Sequence, residues 1–263
     1  MPRHMTVRTQ RRRAPSHGLL TPRARFVWLM ALVVLAPLAY GCYAARTPSS
    51  QLFGDIYTHG PRTEKIVALT FDDGPNDPYT GQILDVLKQA GVHATFFCVG
   101  MNAEREPQTV RRIAAEGNEI GNHSYQHRKR DALLDLRYSD AARTNDILQG
   151  ITGTLPRLYR APNGFHTPWS LRAVAERGLR AVGWDVESND WDAPGADTIV
   201  MRTVDRVQPG SIILLHDGDN TRLGTDRSQQ TAAVRTIVET LKGRGYRFVT
   251  ISEILGLPPP KGN

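Results

Sequence analysis

The chain is poor in cysteine: its 263 residues include only Cys42 and Cys98. Two cysteines exclude a disulfide framework as the source of stability. Cys98 sits in the apolar run ATFFCVG and reads as a small core residue. Acidic residues are missing before Phe26, where seven arginines stand: Arg3, Arg8, Arg11, Arg12, Arg13, Arg23 and Arg25. Of the 33 basic residues only these seven lack an acidic counterpart; the rest match the 26 acidic residues one for one. The body of the chain is therefore neutral, and no nucleic-acid partner is expected, because phosphate binding needs a basic folded surface. No charge interrupts FVWLMALVVLAPLAYGCYAA, Phe26 to Ala45. No GxGxxG follows the first strand candidate, which removes support for a dinucleotide fold. No internal repeat is evident.

What is present begins with that uncharged run. About twenty apolar residues suffice to span a bilayer core as a helix. Arginines before it and few charges after it predict an N-in orientation, and they argue against a buried core helix. A signal peptide cleaved in the small residues after Pro37 is the rival reading. Lipid attachment at Cys42 is a third, which the bulky Tyr40 fits poorly. The expected organisation is a basic cytoplasmic segment (1–25), a transmembrane signal-anchor or signal peptide (26–45), a Pro/Gly/Ser-rich linker (46–64), one catalytic domain (65–257) and a short tail (258–263). The domain is expected outside the cytoplasm, membrane-anchored, or secreted if the segment is cleaved.

From Lys65 onward short β-type runs alternate with helical periods. The strand candidates are IVALTF, ATFFCVG, EIGNH, RLYRAP, RAVGWDV, SIILLHD and RFVTI. Helices are expected at Tyr79–Ala90, Pro107–Glu116, Ser139–Thr152 with a Ser cap, Pro168–Arg177, Asp197–Arg206 and Ser228–Lys242. Gly91, Gly117, Gly178 and Gly243 are placed for left-handed caps. Seven such alternations predict an α/β fold with a parallel sheet covered by helices, as an open doubly wound sheet or a closed barrel.

Reactive side chains gather where these strands end. IVALTF runs into Asp72-Asp73, EIGNH into His123 with His127 four later, RLYRAP carries Arg160, the fifth strand leads to Asp190, and SIILLHDG ends in His216-Asp217. In a β/α barrel, groups at the C-terminal ends of strands are the catalytic ones. Two adjacent carboxylates are costly to ionise unless a cation sits beside them. The histidines of HSYQH, read as one helical turn, face the same way and can share a metal. Asp72 or Asp73 can supply a third ligand, leaving the other as a base beside the ion. Two histidines and a carboxylate suit Zn²⁺, and also Co²⁺, Mn²⁺ or Fe²⁺. Arg160 is placed to hold the base carboxylate through a fork of hydrogen bonds. His216 is a general-acid candidate whose pKa Asp190 would raise. Asp217 reads as the cap of the turn into GDN. Trp184 and Trp191 read as core or pocket wall, and the loop Gly218–Ser228 has no assigned role.

TFDDGP, HSYQH, RAPNG, the DW of Asp190-Trp191 and LLHDG, in this order over residues 65–255, resemble the NodB-type polysaccharide deacetylases. That carbohydrate esterase family removes acetyl groups from sugar polymers. The resemblance implies a distorted (β/α) barrel of about seven units. It implies Asp72 as catalytic base, oriented by Arg160, and one divalent metal, Zn²⁺ first, on Asp73, His123 and His127. It further implies His216 as catalytic acid tuned by Asp190, and the backbone N–H of Asn163 as oxyanion donor. The family often carries an aromatic residue where this chain has Asn163, so one wall of the acetyl pocket differs. The implied substrate is an N-acetylated polysaccharide, peptidoglycan foremost. An O-acetyl xylan-type esterase, or a glycan-binding module that has lost its chemistry, are the alternatives.

Overall fold

The computed structural model describes residues 21–258; the basic stretch up to residue 20 and the tail from 259 lie outside it. The chain forms two compact units, Met1–Gly41 and Cys42–Asn263. The described part of the first unit belongs to the apolar helix Pro22–Arg46, long and uncharged enough by composition to cross a membrane.

The second unit is built on a parallel sheet. Its strands are β1 (Ile66–Asp72), β2 (Thr95–Cys98), β3 (Glu119–Asn122), β4 (Leu158–Tyr159), β5 (Arg180–Ala181), β6 (Val186–Glu187), β7 (Ser211–His216) and β8 (Arg247–Phe248). The order is β5-β4-β3-β2-β1-β7-β6, with β8 paired to the start of β1. The fifth strand candidate, RAVGWDV, splits into β5 and β6 around Gly183-Trp184, and these two strands do not pair with each other. The sheet is thus a curled, open barrel rather than a closed one. The six expected helices form, with ends shifted by no more than two residues. Three short helices that the sequence did not announce join them: Gly100–Arg105, Lys129–Leu134 and Ile251–Ile254.

Strand periodicity sorts the side chains. In β1 every residue is buried, as in a strand covered on both faces. Val67, Leu69 and Phe71 pack outward into the cluster of Leu84, Leu87 and Ile237 under the helices. Ile66 and Ala68 face inward with Phe97, Leu158 and Ile212. Period two therefore continues the inner row through Thr70 to Asp72. In β7, Ile213 and Leu215 join the outer cluster, which leaves Leu214 and His216 on the inner row. Asp72 and His216 are register partners.

Several local expectations are corrected. Ser139 does not cap its helix. Tyr138 is the N-cap residue, held left-handed at φ 47°, and the Asp135 carboxylate accepts the Ser139 N–H instead. Gly91, Gly117 and Gly178 take the left-handed caps, whereas Gly243 is the last helical residue and Gly245 turns left-handed at φ 82°. Residues 46–64, read as a linker, run along the sheet. Tyr57 bridges Val182, His59 bridges Ser211, and the Gln51 side-chain amide brackets both backbone groups of Ile56.

Candidate active site

The two carboxylates of TFDDGP part company at the strand end. Asp72 is the last residue of β1 and points inward. Asp73 leaves the strand with φ 76°, so its side chain diverges from that of its neighbour. The glycines that follow are there for close approach. A Cβ on Gly74 would strike the carboxylate of Asp217, and one on Gly218 would strike the Asp73 carbonyl oxygen. The Asn102 amide donates to that same carbonyl at 2.8 Å.

His123 and His127 do not lie on a helical turn. β3 ends at Asn122, and the chain passes through a loop in which Ser124 (φ 64°) and His127 (φ 55°) are left-handed. The loop is fixed by the Asn122 side chain, which accepts the Ser124 N–H, and by the Ser124 hydroxyl, which accepts the His127 N–H. The two rings still meet, with centroids 4.9 Å apart. The two side chains converge through a loop with left-handed residues and not through the helical turn expected from HSYQH.

Asp73, His123 and His127 bring one ligand atom each within 4.8 Å of the others. His127 Nε2 lies 3.1 Å and His123 Nε2 lies 3.5 Å from Asp73 Oδ1. His123 Nδ1 lies 2.8 Å from the Arg160 carbonyl, which makes it the donor and leaves Nε2 with a free lone pair. Asp73 Oδ1 is buried without a hydrogen-bond donor among the described residues. A buried carboxylate oxygen facing two imidazole nitrogens is a fit for a borderline cation. Burial opposes ionisation of Asp73, but the neighbouring imidazoles of His123, His127 and His216 outweigh it and hold its carboxyl well below the usual carboxylate range. Burial pulls His127 down to about 4, against the raising pull of Asp73, so it is neutral and able to ligate. Burial also pulls on His123, but the charges of Asp72 and Asp73 outweigh it and the net direction is up.

Arg160 is fully buried below this cluster. Its contact with Asp72 is not the expected two-pronged fork. Nη1 alone donates to Asp72 Oδ1 at 2.8 Å and also to the Thr70 hydroxyl at 2.7 Å, while Nη2 donates to the Gly183 carbonyl at 3.0 Å. The guanidinium lies 4.1 Å over the Phe97 ring. The effect is the same: one oxygen of Asp72 is engaged and the other is left toward His123, 3.6 Å away.

His216 ends β7 with Nδ1 2.9 Å from Asp190 Oδ1, and its N–H donates to Asp190 Oδ2 at 2.8 Å. Asp190 is fully buried. Burial would lower the His216 pKa, but the charge and hydrogen bond of Asp190 prevail and raise it to about 9. Protonated His216 thus persists to higher pH than an ordinary histidine. The sign predicts the outcome of Asp190→Asn. Without that charge the imidazolium loses its partner, and the alkaline limb of the activity profile moves down by about 1 to 3 pH units. A profile of kcat against pH for the two proteins checks this; an unmoved alkaline limb removes Asp190 from the role.

Asn163 lies in the turn Pro162–Gly164, left-handed at φ 54°. It lines the same cavity of about 550 Å³ as Asp72, Asp73, His123, His127, Trp184, Trp191 and His216. Trp191 is an exposed wall of this cavity, not core. A second cavity of about 470 Å³ beside the start of β3 is lined by His93, Glu119 and Ser252 and holds none of the predicted site residues. The two differ little in size, and it is the convergence of titrating groups that marks the first as the candidate site.

One residue was misread. Asp217 does not cap the GDN turn. It is buried, and Thr80 donates to its Oδ2 at 2.6 Å. Burial, with Asp73 and Asp72 nearby, raises it to about 7 against the lowering pull of that hydrogen bond. Its carboxyl packs under Gly74 and so supports the turn that carries Asp73. The signal was present in LLHDG beside TFDDGP, but only the fold joins the two.

The profile of the polysaccharide deacetylase family matches residues 59–182. The chain is 42% identical over 202 residues to a peptidoglycan-N-acetylglucosamine deacetylase of Bacillus cereus (strain ATCC 14579), a match covering 74% of this chain and 90% of that one. It is 37% identical over 216 residues to a chitooligosaccharide deacetylase of Bradyrhizobium sp. (strain ANU 289), covering 77% of this chain and 94% of the relative. A solved structure of a peptidoglycan N-acetylglucosamine deacetylase, Bc1960, in complex with 4-naphthalen-1-yl-N-oxidanyl-benzamide, superposes with TM-score 0.72 at 36% identity, covering 77% of this chain and 94% of that one.

Proposed function

The chain belongs to the polysaccharide deacetylase family, and from that premise we propose that it hydrolyses the N-acetyl groups of N-acetylglucosamine units in peptidoglycan, releasing acetate. The observation that carries the reading is the meeting in one cavity of a divalent-ion donor set, a separate buried carboxylate and a histidine held protonated by Asp190. Relatives in the family include deacetylases of peptidoglycan and of chitooligosaccharides. An N-terminal apolar helix favours the first, because it would hold the domain beside the wall.

Asp73, His123 and His127 would hold the ion, with Zn²⁺ the first choice for this donor set and Co²⁺, Mn²⁺ or Fe²⁺ the others. When bound, such an ion supplies Lewis-acid polarisation of the acetyl carbonyl and of the attacking water. Asp72 is the general base. Arg160 and Thr70 fix its position, and its free oxygen takes the proton of the water. The backbone N–H of Asn163 serves as a donor to the oxygen that gains negative charge. His216 gives its proton to the departing sugar nitrogen as the C–N bond breaks, and Asp190 stabilises the imidazolium until then. Acetate and a free amine result. Trp184 and Trp191 form the walls against which a sugar ring lies.

The helix Pro22–Arg46 is read as the anchor. Trp28 stands near its start and Tyr40 and Tyr43 near its end, where aromatic side chains favour the two bilayer interfaces. The arginines before Phe26 orient it with the N-terminus inside.

The test uses the full chain in detergent, stripped with a chelator and resupplied with one ion at a time. Acetate release from peptidoglycan that returns with Zn²⁺ and exceeds release from chitooligosaccharides is the expected result. Release from the oligosaccharides alone would move the substrate, and none from either glycan with any ion would sink the proposal.

A further inference from the structure

Beyond the catalytic cavity, one exposed feature stands out. Residues 128–137 follow the ligand His127 and contain the short helix Lys129–Leu134. Leu134 is 79% exposed, Leu136 69% and Leu133 46%. Three exposed leucines within four positions are an apolar patch that water does not favour. The exposed charges around them are Lys129, Arg130 and Arg137. The acids of the same turn are engaged locally: Asp131 accepts from Arg128 Nε at 3.2 Å and lies 3.8 Å from Arg130 Nε, and Asp135 accepts the N–H groups of Arg137 and Ser139. The turn therefore carries an apolar tip and a rim with a net positive charge, Arg128, Lys129, Arg130 and Arg137 against Asp131 and Asp135.

A second observation places this turn. Ala45, in the last turn of the apolar helix, packs in one cluster with Ala132, Tyr138 and Phe165. The Ala45 carbonyl accepts the His166 N–H at 3.1 Å. The Ala132 carbonyl accepts from the Thr167 hydroxyl at 2.8 Å and from Trp169 Nε1 at 2.7 Å. The leucine turn and the exit of the helix are thus fastened to the same stretch, residues 165–169. If Phe26–Ala45 fills a bilayer core, Ala45 stands at the lipid surface by chain continuity, and the turn packed beside it stands there too.

We propose that residues 128–137 form a second membrane contact, in which Leu133, Leu134 and Leu136 enter the interface of an anionic bilayer and Lys129, Arg130 and Arg137 meet its headgroups. The proposal rests on the reading of Pro22–Arg46 as a membrane helix. It adds that residues 128–137, which follow His127 in the chain, give the domain a lipid contact of their own besides the helix.

The test places an environment-sensitive fluorophore on the full chain, in a Cys42→Ser background, at Leu134→Cys, at Leu155→Cys as an exposed position away from the turn, or at Val33→Cys in the helix. The proteins are reconstituted in phosphatidylcholine nanodiscs with and without phosphatidylglycerol. The expected result is a blue-shifted Leu134 label, quenched by spin-labelled lipid, only where phosphatidylglycerol is present, while the Leu155 label stays in water. Charge reversal at Lys129, Arg130 and Arg137 together returns the Leu134 label to water and leaves the Val33 label in the bilayer. A Leu134 label that stays in water with Val33 embedded overturns this proposal and spares the helix reading. A Val33 label in water overturns both. A Leu134 label shielded on cells but not by either nanodisc assigns the leucines to a protein partner and likewise overturns it.

Discussion

Asp72→Asn is expected to lower the rate of acetate release by about 10² to 10⁴-fold, the range a positioned general base contributes. The substitution keeps the shape of the side chain. An amide oxygen can still accept from Arg160 Nη1, so the side chain stays where the carboxylate was. What is lost is the capacity to take a proton. The proposed ion-binding set is Asp73, His123 and His127, and it does not include Asp72. Zn²⁺ content measured by mass spectrometry should therefore match the parent protein while acetate release collapses. That split is the informative result. Loss of both would mean that Asp72 is a ligand, and retention of more than a tenth of the activity would place the base elsewhere.

The largest stability effect is expected at Arg160. It is among the largest side chains with no exposure at all, and its neighbours Thr70, Asp72 and the Gly183 carbonyl all depend on it for donors. Arg160→Met fills much of the same space but leaves a buried carboxylate without its cation. Breaking a buried pair from one side costs about 3–5 kcal/mol. Removing both partners should cost less than removing the arginine alone, because the penalty is the unpaired charge rather than the missing attraction. Denaturant unfolding of Arg160→Met, Asp72→Asn and the double variant, followed by tryptophan fluorescence, reads this directly. If the double variant is the least stable of the three by the full sum of the single losses, the two residues are not coupled and the ion pair does not orient the base.

Asp72 and His216 mark what could be read before the fold was known. Period two in IVALTFD places Asp72 on the row of Ile66 and Ala68, and in SIILLH it places His216 on the row of Ile212. Local periodicity is enough for such positions, because the strand dictates the face. The helices were equally legible from their apolar spacing. What was not legible depends on contacts between distant segments. The loop that carries His123 and His127 takes its shape from Asn122 and two left-handed residues, and no local pattern announces φ 64° at a serine or φ 55° at a histidine. Asp217 looked like a turn residue because its partners, Thr80 and Gly74, lie about 140 positions away in the chain. The split of RAVGWDV follows from Gly183 and Trp184, whose backbone and ring are drawn toward Arg160 rather than kept in a ladder.

The unpaired edges of β5 and β6 have a practical consequence for where this domain begins. Tyr57 adds to the chain just beyond β5 through Val182, and His59 adds to the start of β7 through Ser211, so residues 57–59 stitch the base of the seam that the strands leave open. Gly183, whose carbonyl holds Arg160, is itself held by a hydrogen bond from its N–H to the Tyr57 carbonyl at 2.9 Å. A proteolytic cut or a truncation after residue 64 would therefore unpick the staves of the barrel and loosen the buried arginine, whereas a cut before Gly41 would leave them laced. The stretch that leads out from the apolar helix is masonry as well as connection.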